Sequence, residues 1–183
     1  MDAREELRGI IREQSFLRRP EGYVLTSGKW SPHYFDLKLT TLSNPHALTL
    51  AAGIMLDKMR ALPMRVDAVG GLTAGADPLV VATALLALRQ GWTLPGFFVR
   101  DEQKTHGTER VIEGSVTDDM NVVIVDDVIT TGRSVMKAIR PVEKQGAKVL
   151  QVLILVDREE GGISFLKEQG YQVEAIFSSS ELQ

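Results

Sequence analysis

The sequence predicts an α/β fold: an open, mostly parallel sheet with helices on both faces, plus a small N-terminal hood. Three observations predict it. From residue 66 to residue 177, short apolar runs alternate with helical segments, the pattern of βα units that cover a parallel sheet on both faces. The helical segments are about a dozen residues long, enough for a crossover connection of the right-handed kind. An N-terminal pair of short strands falls outside the alternation.

Each element has its own signal. Leu7, Ile10, Ile11 and Gln14 recur at helical spacing, and Pro20-Glu21-Gly22 is the expected break after that helix. Tyr23-Val24-Leu25 and His33 to Leu37 read as two strands joined by Ser27-Gly28-Lys29. Asn44 caps a helix that has Pro45 at its first position and runs to about Arg60. Val66 to Gly71 is a strand ending in glycines, Asp77 to Arg89 a helix and Gly96 to Val99 a strand. Asn121 to Val125 is a strand, and the helix from Ser134 to Gln145 stops at Gly146. A strand over Val149 to Val156, a helix over Gly162 to Gln169 and a strand over Tyr171 to Phe177 complete the series.

The 183 residues are one domain's worth, so residues 1–183 are read as a single domain. Hydrophobic residues make up 44% and charged residues 25%, an ordinary globular balance. A net charge of -3 provides no global field toward nucleic acid or anionic lipid. With no cysteine, disulfides, thiolate zinc sites and a cysteine nucleophile are excluded. The charged Met1 to Glu6 stretch lacks the apolar core of a signal peptide. The apolar run from Pro78 to Leu88 is shorter than the roughly 18–20 residues a membrane span needs. A cytoplasmic protein is the expectation.

The segment from Val122 to Ser134 carries the chemistry. An apolar strand runs into Asp126 and Asp127; a Thr130-Thr131-Gly132-Arg133-Ser134 turn follows, and a helix begins. Ligands of open α/β sheets sit beyond the carboxyl ends of the strands. A helix N-terminus offers free N–H groups and partial positive charge to a phosphate. Thr130, Thr131 and Ser134 add hydroxyl donors, and Gly132 lets the backbone approach closely. Two carboxylates beside an anion site suit a ligand that also carries hydroxyls and a cation. Asp-Asp alone is more often an acidic helix cap; the turn that follows reverses that balance.

This segment resembles the signature of the type I phosphoribosyltransferases, in which a strand, two acids and a Thr/Gly/Ser turn cradle the 5-phosphate of phosphoribosyl pyrophosphate. The resemblance implies that Asp126, Asp127, Val128, Ile129, Thr130, Thr131, Gly132, Arg133 and Ser134 bind that donor. Three further segments resemble the orotate phosphoribosyltransferases and extend the likeness over nearly the whole chain. After Ser27-Gly28 comes an aromatic pair, Tyr34-Phe35, which the resemblance assigns to the orotate site together with Thr130. Within 100–107, Arg100, Lys104, His106 and Gly107 fit the family's mobile loop. Lys104 and His106, with Asp126 and Asp127, are thereby implied catalytic residues, and Arg100 a donor-binding one. Arg158, after the strand ending at Val156, is implied to face the orotate carboxylate, which its planar fork suits. Ala74 and Gly75, in the glycine-rich turn after Gly71, occupy the pyrophosphate-loop position.

The same likeness implies that residues 20–40 form part of a base-binding hood and 100–115 a mobile catalytic loop. It implies Mg2+ as cofactor, held mainly by substrate and water near Asp126 and Asp127 with no direct protein ligand. It also implies a homodimer that shares loop 100–115 across its interface, and neither nucleic acid nor membrane as partner. Four positions depart from the family pattern: Asp101 replaces a usual second lysine, Thr26 replaces another, and Ala74-Gly75 replaces a common Tyr-Lys pair. A phosphoribosyltransferase for another base, such as a purine, and a non-catalytic sensor of phosphoribosyl pyrophosphate are the alternative readings.

Overall fold

The computed structural model describes residues 2–24, 28, 30–101 and 111–183. Helix α1 (Ala3–Gln14) buries Leu7 and Ile11, one turn apart on a single face. It ends earlier than Pro20 because Phe16 already starts strand β1 (Phe16–Val24). The expected breaker Pro20-Glu21-Gly22 lies inside that strand, at a register shift between Arg18 and Tyr23. A bulge tolerates both a residue without an N–H and Gly22 at φ 71. Strand β2 (Trp30–Phe35) pairs antiparallel with β1, setting Phe35 opposite Phe16 and Tyr34 opposite Leu17.

The second hood strand stops at Phe35 rather than Leu37, and a one-turn helix α2 (Lys38–Thr41) follows. Helix α3 (Pro45–Arg60) starts as its sequence signals require. The Asn44 side chain accepts a hydrogen bond from the Ala47 N–H at 3.0 Å, with Pro45 in the first turn.

Strand β3 (Ala68–Leu72), helix α4 (Asp77–Arg89) and strand β4 (Gly96–Val99) come next. A two-residue strand β5 (Ile112–Glu113) lies within the segment expected to be loop, antiparallel to Phe98 and Val99 of β4. Two residues are too few to leave a periodic trace in sequence. Strand β6 (Asn121–Ile129), helix α5 (Arg133–Lys144) and strand β7 (Lys148–Asp157) follow, then helix α6 (Gly162–Glu168) and strand β8 (Val173–Ser178).

The main sheet has the order β5-β4-β3-β6-β7-β8 and is parallel except for β5. Alternate residues of the central strands serve opposite faces. Val123, Val125, Leu153 and Leu155 pack into the core that holds Leu7, Ala51, Met55 and Leu79. Val122, Ile124, Val152 and Ile154 pack toward Val135, Ile139, Val142 and Leu166. Both strands are apolar throughout because both of their faces are covered. No described helix is long and apolar enough to cross a membrane.

Strand β6 is longer than its apolar run. Asp126 pairs with Ile154, Val128 with Val156 and Ile129 with Asp157. The two aspartates therefore belong to the strand rather than lying beyond it. The neighbouring β7 continues alongside and supplies ladder partners for residues that the apolar pattern leaves out.

Candidate active site

The chain leaves β3 toward β4 on one side, while β6, β7 and β8 build out on the other. Open sheets bind ligands where the strand order reverses, outside the carboxyl ends. Here that point lies between Leu72 and the end of β6, where a cavity of about 320 Å³ opens. Asp126, Asp127, Val128, Thr130 and Ser134 line one wall. Leu72, Thr73, Ala74 and Gly75 form a second, and Tyr34 to Lys38 a third; Arg158 closes the set. A larger cavity of about 750 Å³ lies between residues 111–117 and the end of α5. It brings together neither paired carboxylates nor an anion-binding turn, so the chemistry belongs to the smaller one.

Asp126 is 7% exposed. Its Oδ1 accepts the Asp127 N–H at 3.0 Å, and Asp127 Oδ1 accepts the Val128 N–H at 2.8 Å. Neither carboxylate enters an ion pair among the described residues. Burial pushes the Asp126 carboxyl well above the usual carboxylate range, and repulsion from Asp127 pushes the same way. Burial raises Asp127 as well, while the Val128 N–H and the Lys38 ammonium pull it back down. An Asp pair held in a desolvated crevice with no ion pair among the described residues is costly to the fold. Such pairs are typical of functional sites.

The turn after β6 offers the opposite polarity. Gly132 takes a left-handed conformation, φ 78, and turns the chain from strand into α5. The amides of Thr131, Gly132, Arg133 and Ser134 meet no acceptor among the described residues. A second cavity of about 460 Å³ opens on this turn; Ile129, Thr131, Gly132 and Arg133 line it, and it shares Val128, Thr130 and Ser134 with the first. Four free N–H groups at the start of a twelve-residue helix make an anion site.

Gly75 lies against the carboxylates across the crevice. A Cβ there would sit 2.6 Å from Asp127 Oδ1 and 2.8 Å from Asp126 Oδ1. The loop therefore needs glycine at this point for contact, not for conformation. The preceding Thr73–Ala74 peptide is cis.

The hood divides its aromatic pair. Phe35 is buried and packs 5.0 Å from the Phe16 ring centroid, while Tyr34 is 38% exposed and stacks on Tyr23 at 5.3 Å. Successive strand residues point to opposite faces, so one ring anchors the hood and the other is available to a ligand. Arg158 is held by the end of the sheet: its N–H donates to Ile129 O at 3.0 Å. Its Nε lies 3.3 Å from Glu160 Oε1, so part of its fork is already engaged.

Arg100 is not among the residues lining either cavity, and its guanidinium pairs with Glu113 of β5 at 2.8 Å. Asp101, where the resemblance expects a lysine, pairs with Lys137 of α5 at 2.5 Å. Lys104, His106 and Gly107 lie outside the described residues, as do Thr26 and Ser27. Among the described residues no cluster of three or more metal-ligating side chains occurs. Sequence reasoning missed Asp36, Lys38 and Thr73, all of which line the crevice. Lys38 follows the aromatic pair closely, but its place emerges only because the strand ends at Phe35 and α2 starts beside the crevice.

A sheet reversal with paired acids and an anion-binding turn is the arrangement that the resemblance to the phosphoribosyltransferases implies. The family model described as the phosphoribosyl transferase domain matches residues 40–167, including β6, its turn and Arg158. The orotate phosphoribosyltransferase of Aquifex aeolicus is 37% identical over 180 residues, covering 98% of this chain and 97% of that one. The Mycobacterium tuberculosis H37Rv orotate phosphoribosyltransferase, solved with Fe(III) dicitrate, superposes with a TM-score of 0.84 at 31% identity over 99% of both chains. The same enzyme solved with 5-phospho-alpha-D-ribosyl 1-diphosphate gives a TM-score of 0.80 at 29% identity, again over 99% of both chains. The chain belongs to the orotate phosphoribosyltransferase family of the phosphoribosyltransferases.

Proposed function

We propose that this chain transfers ribose 5-phosphate from phosphoribosyl pyrophosphate to a ring nitrogen of orotate, with Mg2+, releasing pyrophosphate and orotidine 5'-monophosphate. One observation carries the reading. Four amides at the start of α5 with no acceptor among the described residues line a cavity that adjoins the crevice of a buried and a half-buried carboxylate, neither in an ion pair there. That juxtaposition suits a ligand with a terminal phosphate and a diol, and little else.

The residues divide the work by their chemistry. Amides and hydroxyls of Thr130 to Ser134 hold the 5-phosphate. Asp126 and Asp127 accept the ribose hydroxyls and face the sugar carbon, where positive charge develops as its bond to pyrophosphate breaks. Ala74 and Gly75 bring backbone to the pyrophosphate. Tyr34 stacks on the flat base, and the guanidinium of Arg158 takes its carboxylate. Paired carboxylates in this crevice suit a hard cation held through water and substrate oxygens. Mg2+ bound there would neutralise charge on the departing pyrophosphate. Lys104 and His106 act from the loop as it closes over the donor and excludes water. The functional unit is a homodimer in which each copy lends loop 100–115 to the other's site.

The test is turnover of orotate with phosphoribosyl pyrophosphate and Mg2+, followed by the ultraviolet absorbance of orotate. Consumption of orotate and not of purine bases is the expected result. Consumption of a purine instead would identify a different base, and donor binding without turnover of any base would identify a sensor.

A further inference from the structure

The crevice has a charge problem. Among the described residues, three carboxylates line it, those of Asp36, Asp126 and Asp127, against two cations, Lys38 and Arg158. Arg158 is already engaged by Glu160. A diphosphate brought into this space meets negative charge on one wall and, at Ala74-Gly75, backbone without a side-chain cation on the next. The ammonium of Lys38 enters no ion pair among the described residues. It is the first residue of α2, lines the same crevice as Gly75 and Asp127, and is solvent-exposed.

From this placement we infer that Lys38 is a binding residue for the diphosphate of the sugar donor, the local cation that Thr26 and the Ala74-Gly75 loop do not supply. An unpaired ammonium next to a polyanion site forms a charge-assisted hydrogen bond at little cost, since no partner has to be given up. Lys38 comes from α2 and Arg158 from the end of β7, so the two cations reach the crevice from different elements. The influence of Lys38 on the Asp127 carboxyl agrees with that position. The inference rests on the function proposed above and deepens it.

The experiment uses the full chain in three forms: unaltered, Lys38→Met and Lys38→Arg. Methionine keeps the stem and removes the charge, while arginine restores the charge. Calorimetric titration with magnesium pyrophosphate and, separately, with orotate reads the two subsites. Lys38→Met should weaken pyrophosphate binding about 10- to 100-fold and leave orotate affinity within about twofold. Lys38→Arg should recover most of the pyrophosphate affinity. In turnover, the KM for the sugar donor should rise more than kcat falls. Unchanged pyrophosphate affinity in Lys38→Met, or equal loss of pyrophosphate and orotate, would overturn the assignment. If the unaltered chain binds pyrophosphate but does not consume orotate, the base assignment fails while the Lys38 measurement still stands on its own. No pyrophosphate binding by the unaltered chain would overturn both.

Discussion

Asp126→Asn separates what the site costs the fold from what it does for the reaction. Asp126 sits 7% exposed in the central strand, its carboxyl driven upward by burial and by the neighbouring Asp127. Asparagine has nearly the same volume and keeps an oxygen to accept the Asp127 N–H, which now bonds at 3.0 Å. The substitution therefore removes a charge without opening a cavity. Relief of a destabilised functional residue contributes about 1–2 kcal/mol, and for a chain of this size each kcal/mol moves Tm by roughly 2–4 °C. Thermal unfolding followed by circular dichroism near neutral pH should show Asp126→Asn melting about 2–8 °C above the unaltered protein. Activity should drop about 10²- to 10³-fold, the cost of losing one charge-stabilising group. The pH dependence has a definite sign. Because the folded carboxyl is raised, the folded state binds more protons than the unfolded one between the two pKa values. The stability of the unaltered protein then falls as pH rises through the folded value. Below that value Asp126 is protonated and uncharged like asparagine, so the Tm difference should close on acidification. An Asn variant that melts at or below the unaltered protein at neutral pH, or a Tm difference that ignores pH, would refute the reasoning.

Gly75→Ala adds a methyl group 2.6 Å from Asp127 Oδ1; overpacking of about 1–3 kcal/mol should raise the KM for the sugar donor about 10-fold or more, with orotate affinity nearly unchanged in steady-state assays. Tyr34→Ala removes the ring available for stacking, worth about 1–3 kcal/mol per base, so orotate binding by calorimetry should weaken about 10-fold while pyrophosphate binding stays close to normal. Lys104→Ala should lower kcat far more than it weakens donor binding, as expected for a group that acts when pyrophosphate departs; a loss confined to binding counts against that role. Asp101→Asn breaks an exposed pair with Lys137 and should change stability by less than about 1 kcal/mol, read as a small Tm shift.

Local pattern alone made most of the fold and the centre of the site legible. Apolar runs such as Val122 to Val125 announced buried strands, Asn44-Pro45 announced a helix start, and Asp-Asp before Thr-Thr-Gly-x-Ser announced an anion turn beside two acids. These signals are readable because each depends on a residue's own backbone preference or hydrogen-bonding groups. Pairing between distant segments is written in no local pattern. Strand β6 extends through Asp126 and Asp127 because β7 runs beside it, and β5 exists because β4 offers an edge. Phe35 became core and Tyr34 a half-exposed ring stacked on Tyr23 through the register of β2 on β1. Lys38 reaches the crevice because α2 begins where that strand stops. Sequence on its own determined which chemical groups the protein owns and which turn would present them. Only the tertiary structure decided which of those groups share one desolvated space, because proximity and burial are set by contacts between elements far apart in the chain.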